Sequence, residues 1–214
     1  MYENQEWGLE TANVNTGSLI NKVYGMMTVG LFVTAFVAYY TANNMMPDEI
    51  ANLYMPAVVF EVLLVLALSF LVTKLPAAIA FILFLFYAAV NGFTLSMLLF
   101  AYSQTAITKA FAVTGGTFGV MCLYGTVTKK DLSRLGGILF MALLGIVIAS
   151  LVNLFFRSSA LEFGLSILGV LVFVGLTAYD AQKIKRMAEG GITGGSIAVL
   201  GALQLYLDFI SLSM

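Results

Sequence analysis

The sequence predicts an all-α polytopic membrane protein, and three observations carry that reading. Hydrophobic residues make up 61% of the 214-residue chain and charged residues only 10%, where a soluble domain has about 25% charged. The mean hydropathy is +0.98. The apolar residues are gathered in runs near the length of about 20 that a helix needs to cross hydrocarbon.

The elements follow in order. Residues 1–18 are polar and acidic (Glu3, Glu6, Glu10) and read as a short disordered cytoplasmic arm, leaving 19–214 as a single transmembrane domain. No basic n-region marks a secretory signal. Six segments qualify readily as spans: about 22–42, 53–73, 77–102, 106–128, 137–156 and 165–187. Short connections separate them, among them NNMMPDEIAN with Pro47, KLP with Pro76, and TKKDLSRLG, where Asp131 is placed to cap a helix start. A seventh segment, 195–214, is just long enough to cross; a span, a re-entrant helix and a truncated end are all open. Gly115 and Gly119 form a GxxxG pair, with Gly145/Ala149 and Ala198/Ala202 similar; such pairs let helix backbones approach closely. Lysine and arginine placement orients the bundle. With the N-terminus in the cytoplasm, Lys22, Lys74, Lys129, Lys130, Arg134, Lys183, Lys185 and Arg186 fall inside, and only Lys109 and Arg157 outside.

Composition also excludes functions. The chain has no histidine and one cysteine, Cys122. A Ser-His-Asp triad, an HExxH zinc site, a CxxC redox motif and an internal disulfide are therefore ruled out. A net charge of −1 gives no basic field for nucleic acid. A non-enzymatic protein without a bound cofactor is expected, with the lipid bilayer as its setting. Response to pH would have to come from carboxylates in place of imidazole.

Three acids stand inside apolar runs without a basic residue among them: Glu61, Asp180 and Asp208. A charge at the bilayer centre costs roughly 2.5 to 3.5 kcal/mol on insertion scales. Such acids must be protonated, bind a cation, or face water. Helical spacing sets Gly201, Gln204 and Ser211 on the same side as Asp208, a small polar stripe suited to protein or water. Asp180 either pairs with Lys183 or, about two turns inside the cytoplasmic end, meets Asp208 from the next helix. Glu61 has apolar helical neighbours and is either a neutral hydrogen-bonded acid or pore-lining. Glu61, Gln204 and Tyr179 are auxiliary candidates. If Asp180 and Asp208 meet, they share a proton, and Ca²⁺ is a natural replacement for it. Two carboxylates fall short of the 6 to 8 oxygens calcium takes, so binding would be weak and suited to passage. Calcium is then a transported ion, and calcium and protons are the expected small partners.

The pattern resembles the transmembrane Bax inhibitor motif proteins in their bacterial branch. The matching pieces, in order, are FEVLL, VNGFTLS, GTVTKKDLSRLG, SLVNLFF, AYDAQKIK and LQLYLDFI, covering the chain from about residue 20. The resemblance implies seven transmembrane helices with the last one central. It implies a pH-sensitive calcium leak governed by an aspartate pair, here Asp180 and Asp208, in a bacterial inner membrane. Some relatives carry an arginine eleven residues after the second-span Glu, thought to latch onto the pair; this chain has Val72 there, and Lys74 is the nearest base. Other readings use the same acids: a proton-coupled cation transporter or exchanger, a membrane interaction protein, or an intramembrane aspartyl protease. For the protease, Tyr179-Asp180 supplies half of the motif but no GxGD accompanies it.

Overall fold

A computed structural model describes residues 3–192 and 194–214, with side chains from residue 17 onward. Its helices are α1 (Glu3–Asn44), α2 (Pro47–Leu71), α3 (Ala77–Leu95), α4 (Leu98–Ala101), α5 (Gln104–Val127), α6 (Ser133–Phe156), α7 (Ser159–Glu189) and α8 (Gly195–Ser213). The arm expected at residues 1–18 falls mostly where side chains lie outside the description. Seven segments are long and apolar enough to span: Gly17–Asn44, Pro47–Leu71, Ala77–Ala101, Gln104–Val127, Ser133–Phe156, Ser159–Glu189 and Gly195–Ser213. The last segment is thus one of the seven. It is also the most buried, with 56% of its window inside protein, as a central helix should be; α6 has 0%.

Local chemistry sets the boundaries. Pro47 opens α2, and the Glu49 carboxylate accepts the Met46 N–H at 3.0 Å, satisfying a donor the helix start leaves over. The end of α7 is a Schellman turn: Gly191 has φ 76°, Ile192 N–H reaches Met187 O, and Gly191 N–H reaches Ala188 O. A residue without Cβ takes that left-handed conformation freely. Arg157 closes α6 in the same region, with φ 48°.

The chain divides into two compact units: residues 1–109 with 187–206, and residues 110–186 with 207–214. In the first, α1 and α3 meet at glycine. A Cβ on Gly92 would stand 2.5 Å from Thr34 O. Beside it the Thr34 hydroxyl lies 2.9 Å from Ala88 O and 2.6 Å from the Tyr206 hydroxyl. The Tyr206 ring, fully buried, packs edge-on against Phe84 and Tyr87. In the second unit α5 and α7 touch at Gly125, where a Cβ would fall 2.1 Å from Ala178 O.

The GxxxG pair is not where the helices approach. A Cβ at Gly115, Gly119 or Gly145 would meet nothing within 4 Å. The buried stripe of α5 is Thr114, Phe118, Cys122 and Gly125, and Gly115 and Gly119 sit about 100° around the helix from it. Ala198 and Ala202, by contrast, are fully buried. Gly125→Ala should therefore lower the thermal midpoint in detergent, by the equivalent of about 1 to 3 kcal/mol. Gly115→Ala should raise it by up to about 1 kcal/mol through helix propensity alone. The same sign for both would contradict the packing described.

Candidate functional site

The YDAQKIKR stretch of α7 turns successive residues to different neighbours. Tyr179 lies over Gly136, whose missing Cβ makes room for the ring, so its place is packing between α6 and α7. Asp180 is only 8% exposed and Asp208, on α8, only 4%. The structure brings these two acids close enough to interact with each other. Lys183 also lies near enough to Asp180 to interact with it electrostatically. Both partners considered for Asp180 are therefore present. Asp208 Oδ2 remains buried without a hydrogen-bond partner.

Two carboxyl groups this close at low dielectric cannot both ionise cheaply: one proton or a cation relieves the repulsion. The pair supplies at most four carboxylate oxygens, short of a calcium shell. Among the described residues no group of three or more Asp, Glu, His or Cys side chains is placed to hold a metal.

Glu61 stands in the other unit, in polar company that its own helix does not reveal. Its Oε1 accepts from Tyr87 at 3.4 Å and from the Asn91 amide, and Oε2 accepts from Thr94 at 2.9 Å. Tyr87, Asn91 and Thr94 fall at i, i+4 and i+7 on α3, a single face. Glu61 is half-buried. Gln204 is half-buried on α8, and its Oε1 has no partner.

Sequence reading missed a second set of residues beside Asp180. The buried Gln182 side chain donates to Lys130 O at 2.8 Å and accepts the Leu132 N–H at 2.9 Å. One amide thus clamps the α5–α6 connection from both sides. Lys185 Nζ reaches Thr126 O at 2.8 Å, where a cation suits the last carbonyls of α5. Arg186 bonds Asp131 Oδ1 at 2.7 Å and Ser133 Oγ at 2.9 Å. Asp131 also accepts the Ser133 N–H at 2.9 Å, an Asx turn; the cap expected of it is not formed, because the N-cap position of α6 is Leu132, one residue on. A glutamine two places after YD, followed by basic residues, was the available signal.

The N–H and hydroxyl of Ser133, with Arg186, hold the Asp131 carboxyl down at about 2 from its ordinary 3.8. A depressed folded-state value means the contact stabilises fully above pH 3.8 and fades as pH falls towards 2. Hydrogen exchange at the Leu132 amide, followed from pH 5 to pH 2.5, should accelerate relative to Asp131→Asn, which lacks this acid-linked loss. Gln182→Leu should speed that amide at every pH, by an amount corresponding to about 1 to 3 kcal/mol. Unchanged protection in Gln182→Leu would remove the clamp.

Known proteins agree with this architecture. The family model described as Inhibitor of apoptosis-promoting Bax1 matches residues 16–214. The inner membrane protein YbhL of Escherichia coli is 47% identical over 200 residues, covering 89% of this chain and 86% of that protein. A protein of Deinococcus radiodurans is 48% identical over 195 residues, covering 89% and 84%. A membrane protein of Streptococcus pyogenes is 40% identical over 210 residues, covering 94% and 91%. With a family model spanning nearly the whole chain, relatives close to half identical, and seven apolar helices, the protein is a multi-pass membrane protein of the Bax inhibitor family.

Proposed function

We propose that the chain is a pH-sensitive calcium leak of a bacterial inner membrane, gated by the proton held between Asp180 and Asp208. The observation that supports this reading is a pair of neighbouring acids buried in apolar helices. Protons and Ca²⁺ seek the same oxygens, so calcium occupancy of the pair falls as pH falls. Incomplete coordination favours passage over storage, because a conducting site must release its ion.

The test is calcium flux into proteoliposomes at pH 6 and pH 8. Asp208→Asn should abolish most of the difference between the two pH values. Asparagine keeps the shape and cannot ionise. Asp180→Asn should act in the same direction, and the double variant should add little, as expected within one network. Unchanged pH dependence in both single variants would leave the aspartates structural, with Glu61 the next candidate. Flux that requires an imposed proton gradient would identify a proton-coupled exchanger.

The eight-to-two distribution of basic residues orients the N-terminus to the cytoplasm in this proposal. A cysteine introduced at Asn44 should then react with an impermeant maleimide in intact cells, over little background because Cys122 is buried. Labelling only after lysis would reverse the orientation.

A further inference from the structure

The α6–α7 turn opens a cleft of about 520 Å³, a size that takes a drug-sized ligand or larger. Its wall on α6 carries Ser150, Asn153 and Arg157; its wall on α7 carries Glu162 and Ser166. Leu154 and Leu165 lie among them, and Ile146 lies deepest on α6. Ser150 stands about 10 Å and Ile146 about 16 Å below Arg157 along the helix, at 1.5 Å per residue. The α6 wall therefore runs from charge at Arg157, past amide and hydroxyl, to hydrocarbon at Ile146 over about the depth of one leaflet.

The Ser166 hydroxyl is committed to Glu162 O at 3.0 Å, but other polar groups on the walls are open to a ligand. Arg157 and Glu162 have no ion-pair partner, and the Ser150 hydroxyl has no hydrogen bond, among the described residues. Asn153 uses its oxygen for the Ser158 N–H at 2.9 Å, which leaves its NH₂ free to donate. The cleft belongs to the face most exposed to lipid, since none of the α6 window is buried. Phe155, Phe156 and Phe163 ring the same end at 88%, 76% and 69% exposure. Arg157 is held left-handed, its N–H on Asn153 O at 2.7 Å. Glycine or asparagine would fill that position with less strain.

We infer that this cleft binds a zwitterionic phospholipid, with the phosphate on Arg157 and the ammonium on Glu162. The guanidinium fork suits a phosphodiester, and the carboxylate supplies the opposite charge that an amine-bearing headgroup needs. The free donors of Ser150 and Asn153 face the level of the ester oxygens, and an acyl chain runs along Ile146, Leu154 and Leu165. The inference is independent of calcium transport.

Native mass spectrometry of the full chain in detergent tests it. The probes are phosphatidylethanolamine, phosphatidylglycerol and diacylglycerol with matched chains, with inorganic phosphate as competitor. Phosphatidylethanolamine should bind about ten-fold more tightly than diacylglycerol. Arg157→Gly should lose that preference while keeping or raising the thermal midpoint, because glycine relieves the turn. Glu162→Gln should lower the ratio of ethanolamine to glycerol lipid about five-fold. Affinities within two-fold of native in both variants would overturn the proposal. So would displacement of the lipid by millimolar phosphate, which assigns the site to a free anion. Loss of a dimer in these variants with lipid binding intact would assign the cleft to a second copy of the chain.

Discussion

Hydrocarbon offers no hydrogen bonds, and the structure is organised around meeting that constraint for its buried acids. Asp180 and Asp208 lie beside each other, and Glu61 is met by three side chains of α3. Each solution dictates which face of a helix turns inward. α8 is committed most heavily: Tyr206 and Asp208, two residues apart, are both almost fully buried. α6 carries none of these acids and α2 only Glu61, and their windows are only 0% and 6% buried. Their exposed leucines, valines and phenylalanines need no partner but lipid.

The spans were legible because apolar run length is a local property. All seven fall within a few residues of the segments read from sequence, the seventh included. The meeting of Asp180 and Asp208 was legible as a possibility only, since periodicity gives the face of a helix and not the helix opposite. For the same reason Glu61 read as either hydrogen-bonded or pore-lining with no partner named: its partners lie 26, 30 and 33 residues away. The GxxxG at Gly115 misled because small residues permit a close approach without requiring one. Gly125, which does sit at a backbone contact, belongs to no such pair. Gln182 escaped notice because a glutamine at a helix end usually faces water, whereas here it replaces two missing backbone partners of a loop.

The departures from relatives have a structural side. Val72, where some relatives carry arginine, is fully buried, and Lys74 is exposed. Apolar burial at Val72 suits a helix end that packs without an ion. The cation that acts on Asp180 is instead Lys183, one turn away on the same helix. Charge compensation at the pair is thereby supplied within α7 itself.

The clamp at Gln182 has a mechanical consequence for the acids. Asp180 and Gln182 are two residues apart, about 200° around α7. Any torque that swings Asp180 away from Asp208 also drags Gln182 off the backbone of residues 130–132, with Lys185 and Arg186 pulling against the same connection. Residues 207–214 of α8 are tied more lightly in their own unit, by the Thr114 hydroxyl on Leu212 O at 3.3 Å and by the Phe209 ring against Phe111 and Phe118. The α7 side of the pair is thus tied to its neighbours by more side-chain bonds than the end of α8.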